Sequence, residues 1–524
     1  MKSVDQLEAP TDSVSQAVLS ELTVKEPPIW TPSGLRNRLR VVCSFLVVLT
    51  LLVATLQFLL SRNGMNDPDI WWHLRNAEYL FQHHQLPHAD SYSFTVAGQP
   101  WMNHEWLSEV PYYVAWTIAG LVGIKTLSII IIQLIFLGVL WLAYRESGNF
   151  KASVLACALS TFLATVSFGP RTILFGYLYL VVLLLIVQRF RQRGDAPLWV
   201  IPPLFCLWIN THGSWSLGLI VFGTIAAAGF LKHFTWGRLQ SEPWSPTQKR
   251  KLLITGIASV GALFVNPFSY RLVFYPFDLA FRQKLNIAHV AEWVSVDFHN
   301  LRGKLVLLLL ITLLLGTLLR NVRWTLAELG LVLFALYSGL TYTRFLFLLA
   351  ILVAPILAKI LDFAPPFRPE ADTPLLNAVV IALMIGSILY YWPKSAMLQK
   401  SVDETYPTEA LPYLKAHPPQ GRVLTHYLWG GYLDWNDRNL KVFIDSRVDI
   451  FEYAGVLQDY LEVLGLKKSN EILDKYKIQY VFFPPDEPLT YILEHDPAWK
   501  IIYSDKVSVL LQRTHAPFAS ATSK

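Results

Sequence analysis

Within eight residues, Asp67-Pro-Asp-Ile-Trp-Trp-His-Leu gathers two carboxylates, an imidazole and two indoles. If Pro68 opens a helix, Asp69 is placed to cap it. Asp69, Trp72 and His73 then share a face at i, i+3 and i+4. The spacing of Ile70, Leu74, Ala77 and Leu80 predicts a helix lying along a membrane surface. A carboxylate held there can take a proton from a hydroxyl as a general base, with Asp69 the first candidate and Asp67 the second. The plainer reading makes Asp69 a cap and the tryptophans anchors.

A second cluster reads Gly98-Gln-Pro-Trp-Met-Asn-His-Glu-Trp-Leu-Ser-Glu. Adjacent His104 and Glu105 suit a divalent metal or an anionic head group, or are solvated loop residues between tryptophans. Their spacing is far less specific than a zinc motif. Arg171, in Phe168-Gly-Pro-Arg, and Arg344, after Thr341-Tyr-Thr, each stand beside a long apolar run. A guanidinium there either recognises phosphate through paired hydrogen bonds or snorkels to the interface. Asn210 and His212, in Trp208-Ile-Asn-Thr-His-Gly, and Glu292, beside Trp293, complete the polar inventory. His212 also fits a hydrogen-bonded packing role.

These residues need a scaffold, and composition says which kind. Of 524 residues, 53% are hydrophobic and 16% charged, with mean hydropathy +0.38. Soluble domains carry about 25% charged residues, so an ordinary cytosolic enzyme, a disordered chain and a nucleic-acid binder are excluded. Aromatics reach 14%, with 18 Trp and 23 Tyr, types that collect at membrane interfaces. The net charge of +6 identifies no partner by itself. Cys43, Cys157 and Cys206 each lie in an apolar run and read as buried hydrophobes.

Residues 1–40 are expected to be a cytoplasmic tail, because Arg36, Arg38 and Arg40 precede the first apolar run, 41–60. Further runs cover 126–144, 152–168, 172–189, 197–210, 214–231, 252–266, 305–319, 325–343, 345–361 and 375–392. The sum is about eleven spans of roughly membrane-crossing length. Loops at 145–151, 189–195, 232–251 and 320–323 then fall inside with most of the loop Lys and Arg, as the positive-inside rule requires. The short apolar stretch 110–124 fits an interfacial or re-entrant segment. On this topology the large first outer loop, 61–109, and the other candidate residues fall on the outer side, where ionisable groups near the bilayer are costly and functional.

Residues 41–395 thus form a transmembrane domain. Residues 400–515 turn soluble and predict an extracytoplasmic α/β domain. Its expected strands are 423–426, 441–445, 479–483, 500–504 and 508–513, with helices at 455–465, 469–477 and 488–495. The fold class is an α-helical polytopic membrane protein with a C-terminal α/β domain.

The long first outer loop, with an acid soon after the first span and a His-Glu cluster later, resembles the glycosyltransferase C-fold superfamily. Its layout is nearest the protein mannosyltransferase and aminoarabinose-transferase branch. Phe94-Thr-Val-Ala-Gly-Gln-Pro-Trp resembles the segment preceding that branch's Glu-Lys-Pro-Pro motif, but His104-Glu-Trp stands in its place. The family lysine contact to lipid phosphate is therefore absent, leaving Arg171 or Arg344 to supply it. In the tail, Val423-Leu-Thr-His-Tyr-Leu-Trp-Gly-Gly-Tyr-Leu-Asp-Trp and Val442-Phe-Ile-Asp-Ser-Arg are similar to the Trp-Trp-Asp-Tyr-Gly region of oligosaccharyltransferase catalytic subunits. Gly430 stands near the acceptor-reading Asp of that family, so reading of an asparagine sequon is not supported.

The resemblance implies inverting transfer of a sugar from a polyprenyl-phosphate donor to a lipid, glycan or protein acceptor at the outer face of a bacterial inner membrane. Asp69 or Asp67 would be the base. Arg171, Arg344, His73, His104, Glu105, Asn210, His212 and Glu292 would bind donor phosphate or substrate. No cofactor is identified, and a divalent metal at His104 and Glu105 is the one candidate. Membrane lipids are expected partners and nucleic acid is not. The rival readings are a transporter or flippase, and a noncatalytic scaffold whose outer domain binds a partner through Arg447 and Asp449.

Overall fold

The computed structural model describes residues 38–65, 67–363, 365, 367–368, 370 and 372–514. The expected tail 1–40 lies almost wholly outside the described residues. The chain divides into two compact units, Met1–Leu52 with Arg368–Ser387, and Val53–Phe367 with Ile388–Lys524. In the first, Asp372 accepts the backbone N–H of Phe45 at 3.2 Å and the Asn377 amide at 2.5 Å. Asn377 also donates to the carbonyl of Cys43 at 2.8 Å. Helix starts leave such N–H groups without intrahelical partners.

The second unit holds most of the apolar helices. Among the described residues of the whole chain, six helices are long and apolar enough to cross a membrane: Arg38–Ser61, Trp106–Ser147, Phe150–Ser167, Ile173–Arg193, Leu301–Leu319 and Thr343–Ile360. A bent pair, Pro374–Tyr390 and Ser395–Asp403, makes a seventh if taken as one span. Leu198–Thr211, Trp215–Ala228 and Leu326–Thr341 are apolar but shorter. This is a multi-pass membrane protein. The run at 252–266 forms part of Pro246–Ala262, whose first turns carry Lys249, Arg250 and Lys251.

The stretch 110–124 belongs to the 42-residue helix Trp106–Ser147. That helix breaks at Ala119 and Gly120, where Gly120 takes φ +56°, a conformation only glycine adopts cheaply.

Four C-terminal strands lie in the spatial order Arg422–Thr425, Ile478–Phe483, Val509–Arg513, Trp499–Ser504. The first pair is parallel and the others antiparallel. Ile478–Phe483 is buried at every position but Gln479, as befits a strand covered on both faces. The helices Val456–Leu464, Ser469–Lys475 and Pro488–Glu494 match their sequence signals closely. Residues 441–445 do not join the sheet. They lie against the loop 84–105 instead, through a bridge between Val442 and Ser93 and a 2.6 Å hydrogen bond from Thr95 to the Phe443 carbonyl.

The helix Asp69–His83 does not lie on a membrane surface with its apolar face. Ile70, Leu74 and Ala77 are fully buried. Ile70, Trp71 and Leu74 pack with Tyr112, Leu398, Val402, Tyr406, Leu433 and Phe482. Trp72, Val96 and Trp101 enter a second core with Phe443, Val448, Phe451 and Val481. The apolar period was real, and protein rather than lipid covers it. This helix, the loop after it and the C-terminal elements thus share their cores and hold their polar residues in fixed places.

Candidate functional site

Pro68 precedes the helix, and the carboxylate of Asp67, not Asp69, accepts the orphan N–H of Asp69 at 3.0 Å. Asp69 is consequently free of the capping duty expected of it. The Trp72 indole donates to Asp69 and to Ser446, each at 3.2 Å. Burial, then the neighbouring Asp67 carboxylate, push the Asp69 carboxyl up to about 6, against the pull of His73, Ser446 and Arg171.

Arg171 lies in the junction between Phe150–Ala164 and Ile173–Arg193. Its guanidinium pairs with Asp67 at 2.5 Å and with Glu292. Tyr112 fixes that junction by donating to the Arg171 carbonyl at 3.0 Å. Glu292 is brought in by the short turn Ala291–Trp293, which is stitched to the start of the last long helix. There Thr343 donates its N–H to Val294 at 3.0 Å and its hydroxyl to the Glu292 carbonyl at 3.1 Å. Arg344 stacks over Trp293, 4.2 Å from the ring centroid, and its Nε has no hydrogen-bond partner. Among the described residues, no carboxylate lies within ion-pair distance of Arg344. Arg171 is already committed to two acids and Arg344 to none.

Glu105 is the hub of a second group. His73 reaches it at 3.3 Å, His212 at 3.2 Å, His104 at 3.5 Å and the Thr172 hydroxyl at 3.0 Å. Burial works against a charge on Glu105, but His212, His104 and His73 outweigh it and hold the carboxyl well below the usual range. The other ring nitrogen of His73 meets Glu109 at 3.1 Å. With a carboxylate on each side, the ring is favoured as the doubly protonated cation, and its pKa is raised despite burial. His212 behaves oppositely. Its Nδ1 accepts the Ser214 N–H at 2.9 Å, so the neutral ring carries its proton on Nε2, towards Glu105. Burial pushes it down to about 4.

A polar chamber of about 60 Å³ is lined by Asp67, Asp69, His73, Glu105, Arg171, His212, Glu292 and Arg344. It opens into a cavity of about 510 Å³ that shares Asp69, Glu105, Arg171, Glu292 and Arg344 and adds His104. Of the ten residues expected from the sequence, only Asn210 lines neither space. Its amide donates to the carbonyls of Cys206 and Val265 at 2.8 and 2.9 Å and accepts from Trp106 at 3.0 Å. It braces the helix ends.

Glu109, Asn76 and Asn103 escaped notice. Both amides donate to Glu109, at 3.1 and 2.8 Å. The four-residue step from Glu105 to Glu109 was the available signal, since it sets both acids on one side of a helix start. Tyr275 and Asp449 were also missed as cavity residues. They face each other at 3.4 Å, and with Trp101 they line both the main cavity and a second chamber of about 840 Å³.

Among the described residues, no group of three or more His, Cys, Asp or Glu side chains is arranged to hold a metal ion. His104 faces Glu105 through Nε2 at 3.5 Å, and its Nδ1 has no hydrogen-bond partner.

No family model matches the chain, and no curated protein matches it. Among solved structures, it is similar to the Archaeoglobus fulgidus oligosaccharyltransferase tethered with an acceptor peptide containing the NVT sequon via a disulfide bond. The similarity covers 89% of this chain and 74% of that one, at TM-score 0.49 and 12% identity. The likeness singles out no branch, and chemistry has to come from this chain's own residues.

Proposed function

We propose that the protein is a membrane glycosyltransferase moving a sugar from a polyprenyl-phosphate donor to a hydroxyl acceptor, with inversion, at the extracytoplasmic face. The observation that carries the reading is the convergence of Asp69, Arg171, Glu292 and Arg344, from four remote segments, on one cavity. Asp69 takes the proton of the acceptor hydroxyl as its oxygen attacks the anomeric carbon. The bond from that carbon to the phosphate oxygen breaks, and its electrons leave with the phosphate on the opposite face of the sugar. Arg344, the guanidinium without a carboxylate partner, meets the charge that develops there. Arg171 holds Asp67 and Glu292 in place around it.

The larger cavity offers room for a sugar, and the second chamber, which shares Trp101, Tyr275 and Asp449 with it, offers a route for the acceptor. A lipid-linked donor accounts for a site at the ends of apolar helices, because the carrier tail stays in hydrocarbon.

The test is transfer by the purified protein from a panel of lipid-linked sugars, with Asp69→Asn alongside. Removal of a general base costs about 10²–10⁴-fold and should leave membrane insertion and melting unchanged. Full activity in Asp69→Asn would remove the base from the scheme. Solute uptake into proteoliposomes without any lipid-linked sugar would favour a transporter instead.

A further inference from the structure

The helices that carry the site at one end carry a second charged group at the other. Ile173–Arg193 follows Arg171 and ends near Arg191, and Thr343–Ile360 runs from beside Arg344 to Lys359. Trp106–Ser147 starts after Glu105 and ends beside Glu146. Along the first two of these helices the separation is roughly 22–30 Å at 1.5 Å per residue, close to the hydrocarbon thickness. At this far end Glu146 pairs with Arg191 and Lys359, and Lys359 with Glu328. Arg191 also meets Glu242 at 4.0 Å, so the two cations of this group face three carboxylates.

Two further guanidiniums stand outside those pairs. Arg320 donates to the backbone carbonyl of Asp362. Among the described residues, neither Arg320 nor Arg323 has a carboxylate within ion-pair distance. Both line a polar cavity of about 520 Å³ together with Arg191, Lys359, Glu146, Glu242 and Asp362. Through Glu146 and Arg191 that cavity adjoins an apolar pocket between the helices, lined by Leu142, Leu184, Val187, Ile225, Ile351 and Ile356. A polar chamber holding two guanidiniums that no carboxylate pairs, adjoining an apolar slot, matches the two halves of a lipid.

We propose that this far face binds the phosphate of an anionic membrane lipid. Arg320 and Arg323 hold the phosphate oxygens, and the glycerol and first methylenes enter the slot beside Leu184 and Ile351. Phosphate is the anion that forked guanidinium donors suit best, and the positive-inside rule places these loops against the leaflet rich in anionic lipid. The site is independent of the sugar-transfer reading, since it shares no residue with the Asp69 cavity.

Full-length protein in phosphatidylcholine nanodiscs is compared with protein in discs that also contain phosphatidylglycerol, reading lipid retained by native mass spectrometry and the melting midpoint. Phosphatidylglycerol should be retained and should raise the midpoint. The Arg320→Gln/Arg323→Gln variant should retain it about thirtyfold less, a factor of roughly five per guanidinium, while melting like the parent in phosphatidylcholine alone. Equal retention by variant and parent would overturn the proposal. Inorganic phosphate giving the same midpoint rise would assign the chamber to a free anion and overturn the lipid. Leu184→Phe, which fills the slot and leaves both arginines, should weaken lipid retention too; unchanged retention would overturn the tail's placement.

Discussion

Asp67 and Asp69 sit on either side of one proline and do different work. Asp67 caps a helix and holds Arg171, whereas Asp69 has only indole and hydroxyl partners and a carboxyl pushed up to about 6. A base acts ionised, so kcat/KM should fall as pH drops through about 6. Asp67 is the second cause of the upward shift, so Asp67→Asn lets Asp69 ionise at lower pH and should move the acid limb downward. A limb that stays in place would show that another group titrates. The two arginines divide in the same way. Arg344→Gln should cost about 10²–10³ in kcat, as for loss of one donor to a developing charge, with little change in melting. Arg171→Gln leaves Asp67 and Glu292 facing each other and should lower the melting midpoint first. Equal kinetic and stability effects in both variants would erase the distinction.

At the scale of elements, His73 binds the start of one helix to the start of another through Glu105 and Glu109. It is nearly fully buried, so removing it leaves two acids without their shared cation. His73→Gln should destabilise by about 3–5 kcal/mol, the cost of breaking a buried ion pair, in thermal melting at pH 6. The raised pKa of His73 sets the sign. Its contribution is complete below the ordinary histidine value of about 6.5 and fades as pH rises through the folded value, so parent and variant should converge in alkaline buffer.

The sequence made Asp69, Arg171 and Arg344 legible because such types are expensive near a bilayer. Glu109 and Asn76 were hidden because their meaning depends on which face each helix turns to the other. The same gap explains the helix Asp69–His83. Its period marked an apolar face, but a period cannot say whether lipid or protein covers it. Run lengths blurred the spans likewise, since hydropathy does not reveal where Trp106–Ser147 breaks or that Leu198–Thr211 stops short.

Across the whole described chain, the loop after Asp69–His83 and the C-terminal elements are held to each other by a charge that the scaffold reading would assign to a partner. Arg447 is buried and pairs with Asp445 and with Asp90 from the loop, both at 2.6 Å, and lies over Tyr92 and Trp101 at 4.7 and 4.9 Å. Gly430 lets this closure happen, because a Cβ there would stand 2.3 Å from the Ile444 carbonyl and 2.6 Å from Asp445. Position 430 has no room for a side chain. Arg447→Met keeps much of the volume but strands Asp90 and Asp445 beside Asp434, whose own pKa burial and Asp445 already raise well above normal. The variant should lose about 3–5 kcal/mol and expose the loop to limited proteolysis. Asp90→Asn placed on top removes one stranded charge, so the double variant should be more stable than the sum of the two single losses, as coupled neighbours require. Strict additivity, with the loop still protected, would mean that the apolar cores alone hold the loop over the Asp69 cavity and that the buried arginine does not position it.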